Sequence, residues 1–277
     1  MTRRKYLFPD HRVLELNYQA GRRLGANIYL IDGGREYVLF DIGYADTVQE
    51  IADLLLRMDY SLSACKMIIA SHADADHAQG LARASSLFKT KVAAHPLSVE
   101  ALESGDPILT FAQIKAQGIE LEMPPCRVDI RLQDGDEIEV GELRLKVWHT
   151  PGHTPGQIAL QLDKLLFSGD NLFADGCVGV IDAHHGSSIP DFIRSLERIR
   201  DAELEYLLPS HGPVFPHNRA MIQRTIERLQ RYQYMADFGT CAVSWPLLDE
   251  WEQDILAGKP PILGKSALLR GPGSAHE

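Results

Sequence analysis

The sequence predicts an α/β fold in which two mixed β-sheets pack face to face and carry helices on their outer surfaces. Three observations lead there. Short apolar runs bounded by Gly, Asp and Pro recur through both halves of the chain, as buried strands do. Segments with apolar residues three and four apart lie between them, which is the helical period. The two halves share this β-rich style, with later helices, and show no repeat of fixed period, an order that suggests two packed mixed sheets.

Val13 to Leu16, Ile28 to Ile31 and Tyr37 to Phe40 read as opening strands, the last two joined by hairpin chemistry at Asp32-Gly33-Gly34. Thr47 to Met58 carries Val48, Ile51, Leu54 and Leu55 on one helical face, with Thr47 as N-cap. Cys65 to Ala70 is a continuous apolar strand, covered on both faces. His77 to Phe88 reads as one helix and Val92 to Ala94 as a strand. Leu97 to Ser104 and Pro107 to Gln117 read as helices. In the second half, Arg127 to Leu132, Ile138 to Val140, Leu143 to Trp148, Gln157 to Leu162, Leu165 to Ser168 and Tyr206 to Leu208 are strands. Pro190 to Arg200 and Asn218 to Phe238 are helices.

Of 277 residues, 45% are hydrophobic and 24% charged, enough for a large core without staples. The net charge of −10 repels phosphate backbones, so no nucleic-acid partner is expected. The four cysteines form no Cys-x-x-Cys pair, which argues against a disulfide framework or a zinc ribbon. The basic start Arg3-Arg4-Lys5 has no apolar stretch behind it, and no run is long enough to span a membrane. A cytoplasmic protein without a membrane partner is expected, acting on a small molecule, with a homo-oligomer left open.

Four segments carry chemistry. Ser71-His72-Ala73-Asp74-Ala75-Asp76-His77-Ala78-Gln79-Gly80 follows a buried strand directly and crowds metal-capable side chains among small alanines. Carboxylates so close repel unless a proton or cation stands among them. The plainer explanation is an acidic turn in which Asp76 caps a helix. Thr150-Pro151-Gly152-His153-Thr154-Pro155-Gly156 holds one imidazole in a rigid loop. Phe167-Ser168-Gly169-Asp170 ends a strand with a carboxylate, and Pro209-Ser210-His211-Gly212-Pro213 ends another with a histidine.

In this order, from about Ile28 to Pro213, these motifs resemble those of the metallo-β-lactamase superfamily, the αβ/βα four-layer hydrolases that include glyoxalase II, lactonases and flavodiiron proteins. The resemblance implies one metal held by His72, Asp74 and His153, a second by Asp76, His77 and His211, and Asp170 bridging them. Asp76 would also orient the nucleophile. A hydroxide bridging the metals would attack a small ester, thioester or lactone.

One slot departs. The family loop is His-x-His-x-Asp-His, and Asp74 replaces its second histidine. Asp74 could remain a ligand, the first site could be lost, or a single metal could bind elsewhere. The first reading is favoured because a carboxylate Oδ and an imidazole Nδ1 lie at nearly the same distance from Cβ. Zinc is the family's metal. A third carboxylate removes one unit of positive charge from a dinuclear centre and suits iron or manganese too. A diiron oxygen-handling or dioxygenase-like enzyme is therefore the rival function.

His184 and His185, beyond the Asp170 loop, are candidates for substrate contact or proton donation, or a solvated loop. His95 is read as structural and His149 as packing. Residues 1–240 are expected to form the metallo-β-lactamase-like domain and 241–277 a C-terminal extension.

Overall fold

The computed structural model describes residues 2–115, 118–182, 185–232 and 257. The first sheet has six strands in the order β1 (Val13–Glu15), β2 (Tyr29–Asp32), β3 (Tyr37–Phe40), β4 (Cys65–Ile69), β5 (Lys91–Ala94) and β8 (Ile130–Arg131). Its first three strands are antiparallel, and β3 to β8 run parallel. The second sheet has the order β14 (Phe215–Pro216), β13 (Tyr206–Pro209), β12 (Leu165–Gly169), β11 (Ile158–Leu162), β10 (Leu143–His149) and β9 (Glu137–Val140). Only β12 and β13 pair in parallel there. Both sheets are therefore mixed.

The strand period of two sorts the apolar side chains into layers. Tyr29, Ile31, Val38, Phe40 and Ile69 of the first sheet meet Leu145, Val147, Leu160 and Phe167 of the second in a buried core between the sheets. The alternate residues Leu30, Leu39 and Ile68 face outward, onto α2 (Val48–Arg57) and α4 (Leu81–Phe88). On the far side, Ala159, Leu166 and Leu207 pack on α6 (Ile189–Asp201) and α7 (Arg219–Tyr232). The four-layer α/β sandwich read from the sequence is the fold observed. Among the described residues, no helix is long and apolar enough to cross a membrane.

Two helices are not as read. Over its described part, Pro107 to Lys115, the segment expected as a helix to Gln117 forms no α-helix. Asp106 Oδ1 accepts from the backbone N–H of Ile108 and of Leu109, closing a single turn. Phe111 then adopts φ +49°, which ends it. The chain continues into β6 (Gln113–Ile114), paired antiparallel with β7 (Ile119–Glu120). The segment His77 to Phe88 is two helices, α3 (Ala75–Ala78) and α4, because the Gly80 N–H turns aside to the Gly43 carbonyl at 2.8 Å. The long last helix is described from Arg219 to Tyr232; its expected end at Phe238, and the extension 241–277 apart from Ala257, lie outside the described residues.

Candidate metal centre

The motif residues gather where strands of both sheets end. After β4 the chain turns through Ala70–Asp74 into α3 and sets four side chains around one point. The loop from β10 to β11 supplies His153, and the ends of β12 and β13 supply Asp170 and His211. His72, His153 and Asp170 each offer a ligand atom within 4.8 Å of the others, and so do Asp76, His77 and His211. Asp170 stands between the triads. Its Oδ1 is 3.6 Å from His77 Nε2, and its Oδ2 is 3.7 Å from His153 Nε2 and 3.6 Å from His211 Nε2. Gly179 makes this approach feasible: a Cβ there would stand 2.7 Å from the Asp170 carbonyl and 3.0 Å from the His153 ring.

Asp74 occupies the N-cap position of α3, yet its side chain caps nothing. It turns inward, with Oδ2 3.0 Å from His153 Nε2 and 3.5 Å from His72 Nε2. All seven motif residues thus converge, and the acidic turn is not a helix cap.

The hydrogen bonds around the histidines fix which nitrogen faces the centre. His77 Nδ1 lies 2.9 Å from Asp41 Oδ2, and an ionised carboxylate only accepts, so Nδ1 donates. Ser71 Oγ donates to the same Asp41 oxygen at 2.8 Å and can therefore accept from His72 Nδ1, also at 2.8 Å. His153 Nδ1 donates to the Val180 carbonyl at 2.8 Å. All three rings consequently aim Nε2 at carboxylates. His72 Nε2, His77 Nε2 and Asp170 Oδ1 are buried with no hydrogen-bond partner. Lone pairs facing carboxylates need positive charge between them, either protons or metal ions.

The electrostatics agree. Burial would push Asp74 and Asp76 up, but the histidines around them outweigh it and hold both carboxyls well below the usual range. Burial also opposes a charged His77 or His153. Asp76, Asp170 and Asp41 nevertheless raise His77 well above its ordinary value, and Asp74 brings His153 to about 9. Burial, then the neighbouring His77, lowers His72. A donor set of imidazole nitrogens and carboxylate oxygens fits zinc, iron or manganese.

Sequence reasoning missed Asp41 and Ser71. Asp41 ends β3, has φ +65°, is fully buried and also accepts from the Ser71 N–H at 2.7 Å. Its signal was available: a buried strand ending in a lone carboxylate, as at Asp170. His185, expected as a substrate contact, is buried, with Nε2 2.7 Å from Asp74 Oδ1. His184 lies outside the described residues. His95 stacks on His149, with ring centroids 4.0 Å apart. Burial and that neighbour bring His95 to about 4, which suits a structural ring.

Beside the centre lies a cleft of about 560 Å³. Asp76, Asp170 and His211 form one side of its lining, and Phe111, Ile114, Ile119, Leu121, Phe173 and Val180 provide an apolar wall.

Residues 21–211 match the family model of the metallo-beta-lactamase superfamily. The chain belongs to that superfamily. It is 29% identical over 233 residues to the acyl-coenzyme A thioesterase MBLAC2 of Bos taurus, covering 75% of this chain and 79% of the relative. It is 30% identical over 169 residues to the "Probable polyketide biosynthesis zinc-dependent hydrolase BaeB" of Bacillus velezensis, covering 61% of this chain and 62% of that protein. A metallo-beta-lactamase of Cronobacter sakazakii, mutated in its HARLDQ motif, superposes with a TM-score of 0.61 at 20% identity, over 94% of this chain and all of that one; the likeness shows the fold. The chain is a metal-dependent hydrolase of this superfamily, and its His and Asp clusters are candidate sites for the divalent metals that the superfamily and the zinc-dependent relative suggest.

Proposed function

We propose that the protein hydrolyses a small acyl thioester or ester at a dinuclear centre. One ion would be held by His72, Asp74 and His153, the other by Asp76, His77 and His211, with Asp170 shared. The observation that carries this reading is Asp170, whose two oxygens stand between histidines of both triads. When bound, divalent ions supply Lewis-acid polarisation of the acyl oxygen and a water acidic enough to ionise near neutrality. The chain's own residues do the rest. Asp76, part-exposed and kept ionised by His77 and His211, lines the cleft and would orient the attacking water. The wall of Ile114, Ile119, Leu121 and Phe173 takes the apolar end of the acyl group and excludes water there. That wall favours a thioester with an alkyl chain over a small lactone, and the thioesterase relative supports the same choice.

The test is metal content together with turnover of esters, thioesters, lactones and phosphodiesters by wild type and Asp170→Ala. Thioester hydrolysis that rises with chain length and is lost in Asp170→Ala is expected; equal turnover by both proteins overturns the assignment. The third carboxylate, Asp74, favours one other reading, a diiron oxygen-handling enzyme. Oxygen consumption by iron-loaded protein that hydrolyses nothing in the panel would establish it.

A further inference from the structure

Asp74 stands at the slot where the resembled family loop has a histidine, and the structure pairs it with His185. Its carboxylate is almost completely buried, and its two oxygens have different partners. Oδ2 faces His153 and His72 across 3.0 and 3.5 Å. Among the described residues, the partner of Oδ1 is His185 Nε2, at 2.7 Å. We infer that His185 is a positioning residue for the metal centre: it takes Oδ1, which leaves Oδ2 aimed into the gap between His72 and His153 and lets a carboxylate serve at a histidine slot. The inference rests on the dinuclear reading above.

The need for such a residue follows from side-chain geometry. An imidazole at this slot would present one ring nitrogen along a fixed direction. The terminal torsion of an aspartate is broad and two-fold, so either oxygen, or both, can face the centre. A fixed donor on one oxygen removes that ambiguity. It also draws charge from the carboxylate, tempering the loss of positive charge that a third acid brings.

His185 is itself held for the task. Its N–H and that of Ser187 both bond the Asp182 carbonyl, at 3.1 and 3.0 Å, so the backbone folds back toward the centre. The Phe111 ring covers the imidazole at a centroid distance of 3.6 Å and shields it from water. An ionised Asp74 only accepts, so the proton lies on His185 Nε2. Nδ1 is buried without a hydrogen-bond partner among the described residues, so the bond to Asp74 is the polar contact that orients the ring.

The experiment compares wild type, His185→Ala and His185→Gln. It reads zinc affinity by chelator competition, the visible spectrum of the cobalt-substituted protein and thermal unfolding of the metal-free protein as a fold control. In His185→Ala, one of two ions is expected to bind roughly 10- to 100-fold more weakly, with the other unchanged and the cobalt spectrum altered for that ion alone. In His185→Gln an amide N–H can reach Oδ1, and most of the affinity and spectrum should return. Wild-type affinity and spectrum in His185→Ala, with only KM raised, would make His185 a substrate contact and overturn the inference. If the wild type binds a single ion, the dinuclear reading falls. The role of His185 is then decided by whether His185→Ala weakens that ion, and an unweakened ion overturns it.

Discussion

Asp41 joins the backbone to the chemistry most directly. One carboxylate receives the Ser71 N–H, the Ser71 hydroxyl and His77 Nδ1–H, at 2.7, 2.8 and 2.9 Å. It thereby fixes the tautomer of His77 and, through Ser71, that of His72. Its φ of +65° is left-handed backbone, costly for most residues but tolerated by Asp and Asn. Asp41→Asn is therefore a clean probe, because shape and backbone are preserved. The amide offers one acceptor where the carboxylate offers two. If its oxygen keeps the Ser71 N–H, its NH2 group takes the position of Oδ2 and meets His77 Nδ1–H, and the ring must move its proton to Nε2, the nitrogen that faces the centre. Zinc affinity at the His77 site is expected to fall by roughly 10- to 100-fold, measured by chelator competition. The melting temperature of metal-free protein should barely change. An unchanged affinity would show that the tautomer of His77 is set elsewhere.

At the scale of elements, the break between α3 and α4 separates two ways of reading a glycine. Were residues 77–88 one continuous helix, Gly80→Ala would stabilise by about 1 kcal/mol, since alanine is the better helix former in an interior; Gly80 is instead the N-cap of α4. The packing expects the opposite sign. A Cβ on Gly80 would stand 2.8 Å from Val48 Cγ2 and 3.1 Å from the Gly43 carbonyl, where α2 and the loop after β3 crowd in. Val48 is β-branched and fully buried, so it has little room to yield. A loss of about 1–3 kcal/mol is expected in urea unfolding, and a gain would refute the crowding argument. The same contrast explains what was legible beforehand. Tyr37–Phe40 was read to the residue because a strand buried on both faces announces itself as an unbroken apolar run. Pro107 to Gln117 was misread because Ile108, Leu109, Phe111 and Ile114 mimic a helical stripe. The side chain of Asp106 and the left-handed Phe111 decide otherwise, and neither is visible as periodicity. The seven motif residues stand out in the sequence because each lies at a strand end, a helix start or, for His153, a Pro- and Gly-bound loop, with unusual chemistry. Asp41 and the bond from His185 to Asp74 do not, since they depend on contacts across 30 and 111 residues of chain.

Across the whole molecule, neither sheet builds a complete triad. His72 comes from the end of the first sheet, while its companions His153 and Asp170 come from the second. Asp76 and His77 sit on α3, past the end of β4 at the rim of the first sheet, and His211 follows β13 at the rim of the second. Backbone bonds already join the two edges: the Ile158 N–H to the Ser71 carbonyl at 2.8 Å, and the Asn27 N–H to the Ser210 carbonyl at 2.7 Å. Ions held by side chains of both sheets bind the folded sandwich and not the unfolded chain, so binding free energy adds to folding stability. Each ion present at a hundred times its dissociation constant contributes about 2.7 kcal/mol. For a domain of this size that corresponds to a rise of roughly 5–10 °C in melting temperature per ion. Zinc or manganese titrated into chelator-treated protein should raise the melting temperature in two stages. His72→Ala and His211→Ala should each abolish one stage and keep the other, because each removes a ligand from one triad only. A single stage lost in full by both variants would mean one shared ion rather than two, and an equal rise in wild type and His153→Ala/His211→Ala would mean that the metals bind away from this edge.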